Sequence, residues 1–174
     1  MIRILVALLA AGAALCASPT SAQMRGAALG ALIAPEPWGT YAGASIGDSD
    51  FGTGAKAFVG RQFHPQWAWE VQVLDFGTDD RVRFGARSSA VAVGASAVGV
   101  FALNAEFAMF TRLGVHTVST DTKLPGFTAS NRSVELGAGI GARYRLNSRW
   151  SFRFELERIG GASEMFSLGA QLRL

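Results

Sequence analysis

A chain of 174 residues can bury one sizeable core and leaves no room for two. Hydrophobic residues reach 49% and charged ones only 17%, with 21 glycines, which sets the chain apart from a soluble domain, yet no run of eighteen apolar residues occurs beyond the N-terminus, which excludes a bundle of membrane helices. The formal charge of +3 with no dense Lys/Arg face excludes a nucleic-acid binder, and a single cysteine excludes a disulfide framework or thiolate metal site.

The N-terminus reads as an export leader. Arg3 supplies a positive start, residues 4–15 form an apolar segment, and Thr20, Ser21 and Ala22 are small residues suited to a signal peptidase, so cleavage is expected after Ala22. Cys16 follows Leu15, which is larger than the residue a lipobox requires, and is expected to leave with the leader. Loss of Arg3 lowers 16 basic residues to 15 and the charge to +2. Residues 23–37 are expected to form an N-terminal periplasmic segment and residues 38–174 one barrel.

The first five strands are read at residues 40–47, 55–63, 67–74, 90–101 and 107–118. The fourth is the least patterned, because Val, Ala and Gly occupy both of its faces. In the sixth, Val134, Leu136, Ala138, Ile140, Ala142, Tyr144 and Leu146 alternate with Glu135, Gly137, Gly139, Gly141, Arg143 and Arg145, a period of two. This stretch also matches the G-x-G-x-x-A dinucleotide fingerprint. That motif needs a following helix to receive the pyrophosphate, whereas here the alternation continues to Asn147 and Ser148. The seventh strand sets Trp150, Phe152, Phe154 and Leu156 against Ser151, Arg153, Glu155 and Glu157. The eighth sets Phe166, Leu168, Ala170, Leu172 and Leu174 against Ser167, Gly169, Gln171 and Arg173.

The connections alternate in length. Residues 64–66, 102–106 and 147–149 are short turns, whereas 48–53, 75–84, 119–131 and 160–163 read as longer polar loops, the asymmetry of an outer-membrane barrel with turns in the periplasm. Trp38, Phe63, Trp67, Phe101, Phe107, Tyr144 and Trp150 all fall at the turn end on the apolar parity, as an interfacial girdle would. The inverse arrangement, a soluble pocket with the apolar side chains inside, would leave an exterior unusually poor in Lys.

With the apolar side outward, the fold class is an all-β, eight-stranded antiparallel up-and-down transmembrane β-barrel. Its lumen is expected to hold Glu70, Arg112, Glu135, Arg143, Arg145, Arg153, Glu155 and Glu157, four of each sign. Glycines such as Gly43, Gly47, Gly137, Gly139 and Gly141 make room for them. Eight strands leave a bore just wide enough for side chains, so the lumen is expected to be plugged. Arg81, Arg83, Arg87, Lys123 and Arg132 are expected at the outer rim, where lipopolysaccharide phosphates sit.

These features carry a resemblance. YAGASIGDSDF, FVGRQFHPQWAWEVQVLDFG, FTRLG, RWSFRFELE and MFSLGAQLRL, in this order from Trp38 to Leu174, resemble the transmembrane domain of OmpA-type outer-membrane proteins, and more distantly the OmpX and Ail-like barrels. The resemblance implies that Glu70, Arg112 and Arg153 stand among lumenal charge partners. Two departures oppose carrying over that family's salt-bridge gate: residues 96–99 offer no lumenal Lys on the fourth strand, and Arg143 stands where a partner Glu is found. No peptidoglycan-binding domain is expected after the eighth strand.

The expected role is structural or envelope-maintaining, with a small pore and a lipid A-modifying enzyme as alternatives. For the enzyme, His116, Ser119 and Asp121 are the candidates, but His116 and Ser119 differ by an odd number of positions and so face opposite sides of one strand. His64 stands in a turn, near no acid or nucleophile. No cofactor and no metal are expected. The expected partners are outer-membrane lipids, lipopolysaccharide and the barrel assembly machinery, with the chain as a monomer.

Overall fold

A computed structural model describes residues 39–82, 86–124, 127–160 and 163–174. Eight strands form one closed antiparallel barrel in chain order: β1 (Gly39–Ser49), β2 (Gly52–His64), β3 (Trp67–Val82), β4 (Ala86–Ala102), β5 (Phe107–Leu124), β6 (Phe127–Arg145), β7 (Trp150–Ile159) and β8 (Ser163–Arg173). Closure is made by β1 against β8, from Tyr41 opposite Arg173 to Ser49 opposite Met165, and it leaves no full-length edge strand. The least patterned segment is a full strand, β4, held by long ladders to β3 and β5.

The turns at one end follow from local chemistry. Asn104 Oδ1 accepts hydrogen bonds from the Glu106 and Phe107 amides (2.8 and 2.7 Å), and Asn147 Oδ1 accepts from the Arg149 and Trp150 amides (2.9 and 2.8 Å). Each asparagine thus caps the tight turn that opens the next strand. Between β2 and β3 the turn contains Pro65, and the Gln62 amide donates to its carbonyl at 2.9 Å.

The opposite end differs from the sequence expectation. Most of the polar stretches expected to be loops are strand: β3 runs to Val82, and β5 and β6 extend to Leu124 and back from Phe127. Hydrogen-bonded pairing continues there, with Ser119 opposite Arg132 and Asp121 opposite Ser130. The alternation of hydrophobicity fades because neither face lies against lipid at that height, but backbone pairing does not need it. Gly77 lets β3 bulge on the way: its φ is +87°, the register shifts between Asp75 and Thr78, and a Cβ there would meet the Thr53 carbonyl oxygen at 2.4 Å.

The two faces of the wall separate as the parity requires. Phe152, Phe154, Phe166 and Leu168 are exposed on the outside, whereas Arg153, Glu155 and Glu157 are buried inside. An exposed apolar exterior around a charged interior is the arrangement a bilayer demands.

The interior is not uniformly polar, which corrects the expectation of an inner face made only of small and charged residues. Along β3 the inward row reads Ala68, Glu70, Gln72, Leu74, Phe76, and along β5 it reads Ala108, Phe110, Arg112, Gly114, His116, Val118. Stacked around the barrel, these rows make three layers. At the turn end, Tyr41, Phe58, Ala68, Val98, Val100, Ala108 and Phe110 form an apolar plug. At the other end, Leu74, Phe76, Ala90, Ala92, Val118, Ile159 and Met165 form a second, with Phe51 packed against it. Between them lies a belt of charge.

Candidate functional site

The charged belt is the most concentrated chemistry in the described residues. Glu70, on β3, accepts a hydrogen bond from the Tyr41 hydroxyl at 2.7 Å and from Arg153 at 2.7 and 3.2 Å, and it pairs closely with Arg112. Lys56 Nζ reaches Glu155 at 2.6 Å and Glu157 at 3.1 Å. Arg112 touches Glu157 at 3.3 Å, and its Nε lies 3.2 Å from Glu155 Oε1 in a Coulombic contact without hydrogen-bond alignment. Arg153 Nε donates to Glu155 at 3.2 Å. Three cations and three carboxylates therefore neutralise one another, all of them buried. Buried ions need this pairing, because each uncompensated charge costs several kcal/mol.

The belt meets the turn-end plug through Arg153. Its guanidinium carbon lies 4.5 Å from the Phe58 ring centroid and 4.1 Å from that of Phe110, so the two rings hold the cation between them. Glycines on neighbouring strands leave the space: a Cβ at Gly43 would meet Phe58 Cζ at 2.4 Å, and one at Gly141 would meet Phe110 Cζ at 2.2 Å.

His116 closes the belt on its other side. The ring is fully buried, with Nε2 at 2.8 Å from Gln72 Nε2 and 3.9 Å from Glu157 Oε1. Gln72 donates to the same Glu157 oxygen. Gly94 and Gly137 bracket the imidazole, since a Cβ at either would approach it to 2.2 or 2.6 Å. Ser119 and Asp121 lie on the outer face of β5, opposite Arg132 and Ser130 of β6, so the hydroxyl and the imidazole stand on opposite sides of the wall. Among the described residues no group of three or more His, Cys, Asp and Glu side chains is placed to hold a metal ion.

Of the eight expected lumenal charges, the belt joins Glu70, Arg112, Arg153, Glu155 and Glu157. Arg143 is buried one step towards the turns, opposite Arg153 in register. Arg145 and Glu135 are only half-buried, at the two rims. Arg145 follows the turn-end row, and the Glu135 carboxylate lies beside Gly160 at the far end. The expectation omitted Lys56, Tyr41 and Gln72. The same parity would have found them, since Ala55, Ala57 and Val59 face outward and Lys56 lies between the first two.

Phe63, Trp67, Phe101, Phe107 and Trp150 are exposed on the outer wall at the turn end, and Phe107 stacks on the half-buried Tyr144 with ring centroids 4.8 Å apart. Trp38 lies outside the described residues. At the opposite end Arg87 and Lys123 are exposed direct cross-strand neighbours, and Arg132 stands further down β6. Arg81 belongs to the far part of β3, and Arg83 lies outside the described residues.

Comparison with known proteins agrees with this geometry. The sequence matches the family described as outer membrane protein beta-barrel domain over residues 6–169. No curated protein matches it. Among solved structures, Neisserial surface protein A superposes with a TM-score of 0.62 at 13% identity, covering 78% of this chain and 96% of that one. The N-terminal β-barrel domain of Pseudomonas aeruginosa OprF gives 0.65 at 10% identity, covering 79% and 100%. Ail, the attachment invasion locus protein of Yersinia pestis, gives 0.55 at 15% identity, covering 79% and 97%. At such identities the likeness is one of fold.

Proposed function

Because the chain belongs to the outer membrane protein beta-barrel domain family, we propose that it serves the outer membrane as a closed structural barrel that maintains the envelope and conducts no solutes. The observation that carries this reading is the layering of the lumen: a neutral ionic belt sealed between two apolar plugs leaves no continuous polar path for a hydrated ion. Purified barrel in planar bilayers is expected to give no stable conductance steps, whereas deletion of the gene should sensitise cells to detergents. Large stable steps would replace this reading with that of a pore.

Residues 1–22 act as the export leader, 23–37 as a periplasmic segment, and the assembly machinery receives the barrel as a monomer. Lipopolysaccharide is the outer-leaflet partner, contacted by Arg81, Arg83, Arg87, Lys123 and Arg132. Arg87 beside Lys123 supports that contact, since two exposed cations on adjacent strands are placed to reach the same phosphate. The chain is not an enzyme. This rests on the imidazole of His116 being enclosed inside the barrel between Gly94 and Gly137, on the side of the wall opposite Ser119. Unchanged lipid A masses in cells lacking the protein would support that assignment, and a new acylated species would overturn it.

A further inference from the structure

Above the apolar band the wall is no longer closed. β6 pairs with β7 only up to Gly137 opposite Ile159, and the Gly160 amide extends that ladder by one bond, donating to the Leu136 carbonyl at 2.9 Å. On its other side β6 stays paired with β5, without a register shift, as far as Phe127 opposite Leu124. Among the described residues the stretch from Thr128 to Val134, about 20 Å of strand, thus has a neighbour on one side alone. Every residue from Thr128 to Arg132 is exposed, so neither face is covered.

The bond from Gly160 fixes which backbone groups are open. The N–H and C=O of one residue point to the same side of a strand, and those of the next residue to the other side. Leu136 is turned towards β7, so Arg132, Ser130 and Thr128 are turned the same way, whereas Ser133, Asn131 and Ala129 are turned to β5, opposite Val118, Thr120 and Thr122. Thr128, Ser130 and Arg132 therefore present their N–H and C=O groups in one row to water.

The two open edges of the upper wall differ. β2 leaves β3 at Ala55 opposite Asp75, but beyond that point β3 shifts register twice, between Asp75 and Thr78 and between Asp79 and Val82, and it carries Asp79, Asp80 and Arg81. Bulges and charges are the means by which an edge refuses another strand. The β6 edge keeps its register from Thr128 to Val134, contains neither proline nor glycine there, and bears one charge, Arg132. Such an edge is a template for a further strand. A second copy standing in the same membrane does not fit it: barrel strands tilt by about 40°, so the β6 edges of two upright copies facing each other would cross at about 80°. An extended peptide has no such restriction. With the short turns in the periplasm, this edge faces the outside of the cell.

We propose that the β6 edge from Thr128 to Val134 receives an extended segment of an extracellular polypeptide as an added antiparallel strand, with a carboxylate of that segment opposite Arg132 and an apolar residue opposite Val134. Backbone bonding supplies the attachment. Arg132 and Val134, which lie on one face of the strand, supply the choice of sequence, because directly opposed side chains touch. The edge stands above the sealed lumen, so its failure leaves the reading of the closed barrel untouched.

Amide hydrogen exchange of the full barrel in phosphatidylcholine nanodiscs tests this residue by residue. In the barrel alone the amides of Thr128, Ser130 and Arg132 should exchange rapidly, and those of Ala129, Asn131 and Ser133 slowly. The probe is the synthetic peptide Val-Thr-Glu-Thr-Thr-Val-Thr, whose first residue would lie opposite Val134 and whose glutamate would lie opposite Arg132. Millimolar peptide should slow the three rapid amides by about tenfold. With lysine in place of the glutamate, binding should be about fivefold weaker. N-methylation of the third and fifth residues of the peptide should abolish the slowing, because those amides face β6. Ser130→Pro removes an N–H that points to the open edge and none that bonds β5, so the barrel should still show heat-modifiable gel migration while the slowing at Thr128 and Arg132 is lost. If that variant does not fold, the N-methylated peptide decides. Equal protection of all six amides in the barrel alone overturns the proposal, as does the absence of slowing by the unmodified peptide or slowing that survives N-methylation. Protection that rises with barrel concentration and without peptide assigns the edge to a second copy and overturns it too. Equal binding of the lysine peptide overturns the role given to Arg132.

Discussion

Arg153 and Glu70 meet through two parallel hydrogen bonds, 2.7 and 3.2 Å long, although 83 positions separate them in the chain. This fork is the firmest link of the ionic belt, and Glu70 also serves Arg112 and Tyr41. Glu70→Gln keeps the shape and removes the charge, leaving two guanidinium groups short of a counter-ion. A loss of about 3–5 kcal/mol is expected, read from urea unfolding of the barrel in lipid vesicles. Tyr41→Phe removes one hydrogen bond to a charged acceptor and should cost less, about 1.5–3 kcal/mol.

The bracket around His116 yields a coupling test. A Cβ on Gly137 would meet only side chains, the His116 ring at 2.6 Å and Ile159 at 3.2 Å, whereas one on Gly94 would also meet the Val115 carbonyl oxygen at 2.4 Å. Gly137→Ala should therefore destabilise by about 1–3 kcal/mol in the native sequence. In a His116→Ala background most of that penalty should vanish. Gly94→Ala should stay costly in both backgrounds, and thermal unfolding of His116→Ala and of the two glycine variants in each background completes the comparison.

On the outer wall, Leu168 faces the acyl chains opposite Phe154 and Ile46. Leu168→Arg is expected to cost about 2–4 kcal/mol in vesicles, the depth-dependent penalty of a cation on the lipid face. The same change at Ser130, above the apolar band and opposite Asp121, should be close to neutral. Equal effects at the two sites would mean that the bilayer does not cover Leu168.

The turn-end plug is packed as a soluble core is. Phe110 is buried, lies over Gly141 and forms one wall of the slot that holds Arg153. Phe110→Ala should therefore cost about 3–5 kcal/mol. In planar bilayers it should also introduce brief current fluctuations, where the native barrel is silent.

Much of the architecture was legible because a bilayer imposes a strict code on each strand. Phe152, Arg153, Phe154 and Glu155 could be sorted by parity alone, since lipid rejects the second and fourth. The code weakens wherever lipid is absent. Ser119 to Leu124 and Phe127 to Ser133 remain paired strand, but with water on both sides the residues lose their alternation, and the segment reads as loop. The inner face is also under looser control. Phe58, Phe110, Leu74 and Phe76 are inward and apolar, a choice made by how a narrow cylinder is filled, which is a property of layers assembled from distant strands and has no local signature. Lys56 was hidden for a simpler reason, as a lone charge among alanines. Which carboxylates would meet which cations depends on the stagger of the ladders, and that stagger is set by closure of β1 on β8.

The belt has a consequence for how the protein enters its membrane. Sorted by hairpin, the six ions of the belt are spread over all four: β1–β2 brings Lys56, β3–β4 brings Glu70, β5–β6 brings Arg112, and β7–β8 brings Arg153 with Glu155 and Glu157. Counting the belt alone, each hairpin carries one net elementary charge, and Lys56 of the first hairpin meets its counter-ions Glu155 and Glu157 only when the last hairpin has arrived. A hairpin crossing hydrocarbon by itself would bear that charge without its counter-ion, so stepwise insertion is disfavoured and the four must gather before the last seam is sewn.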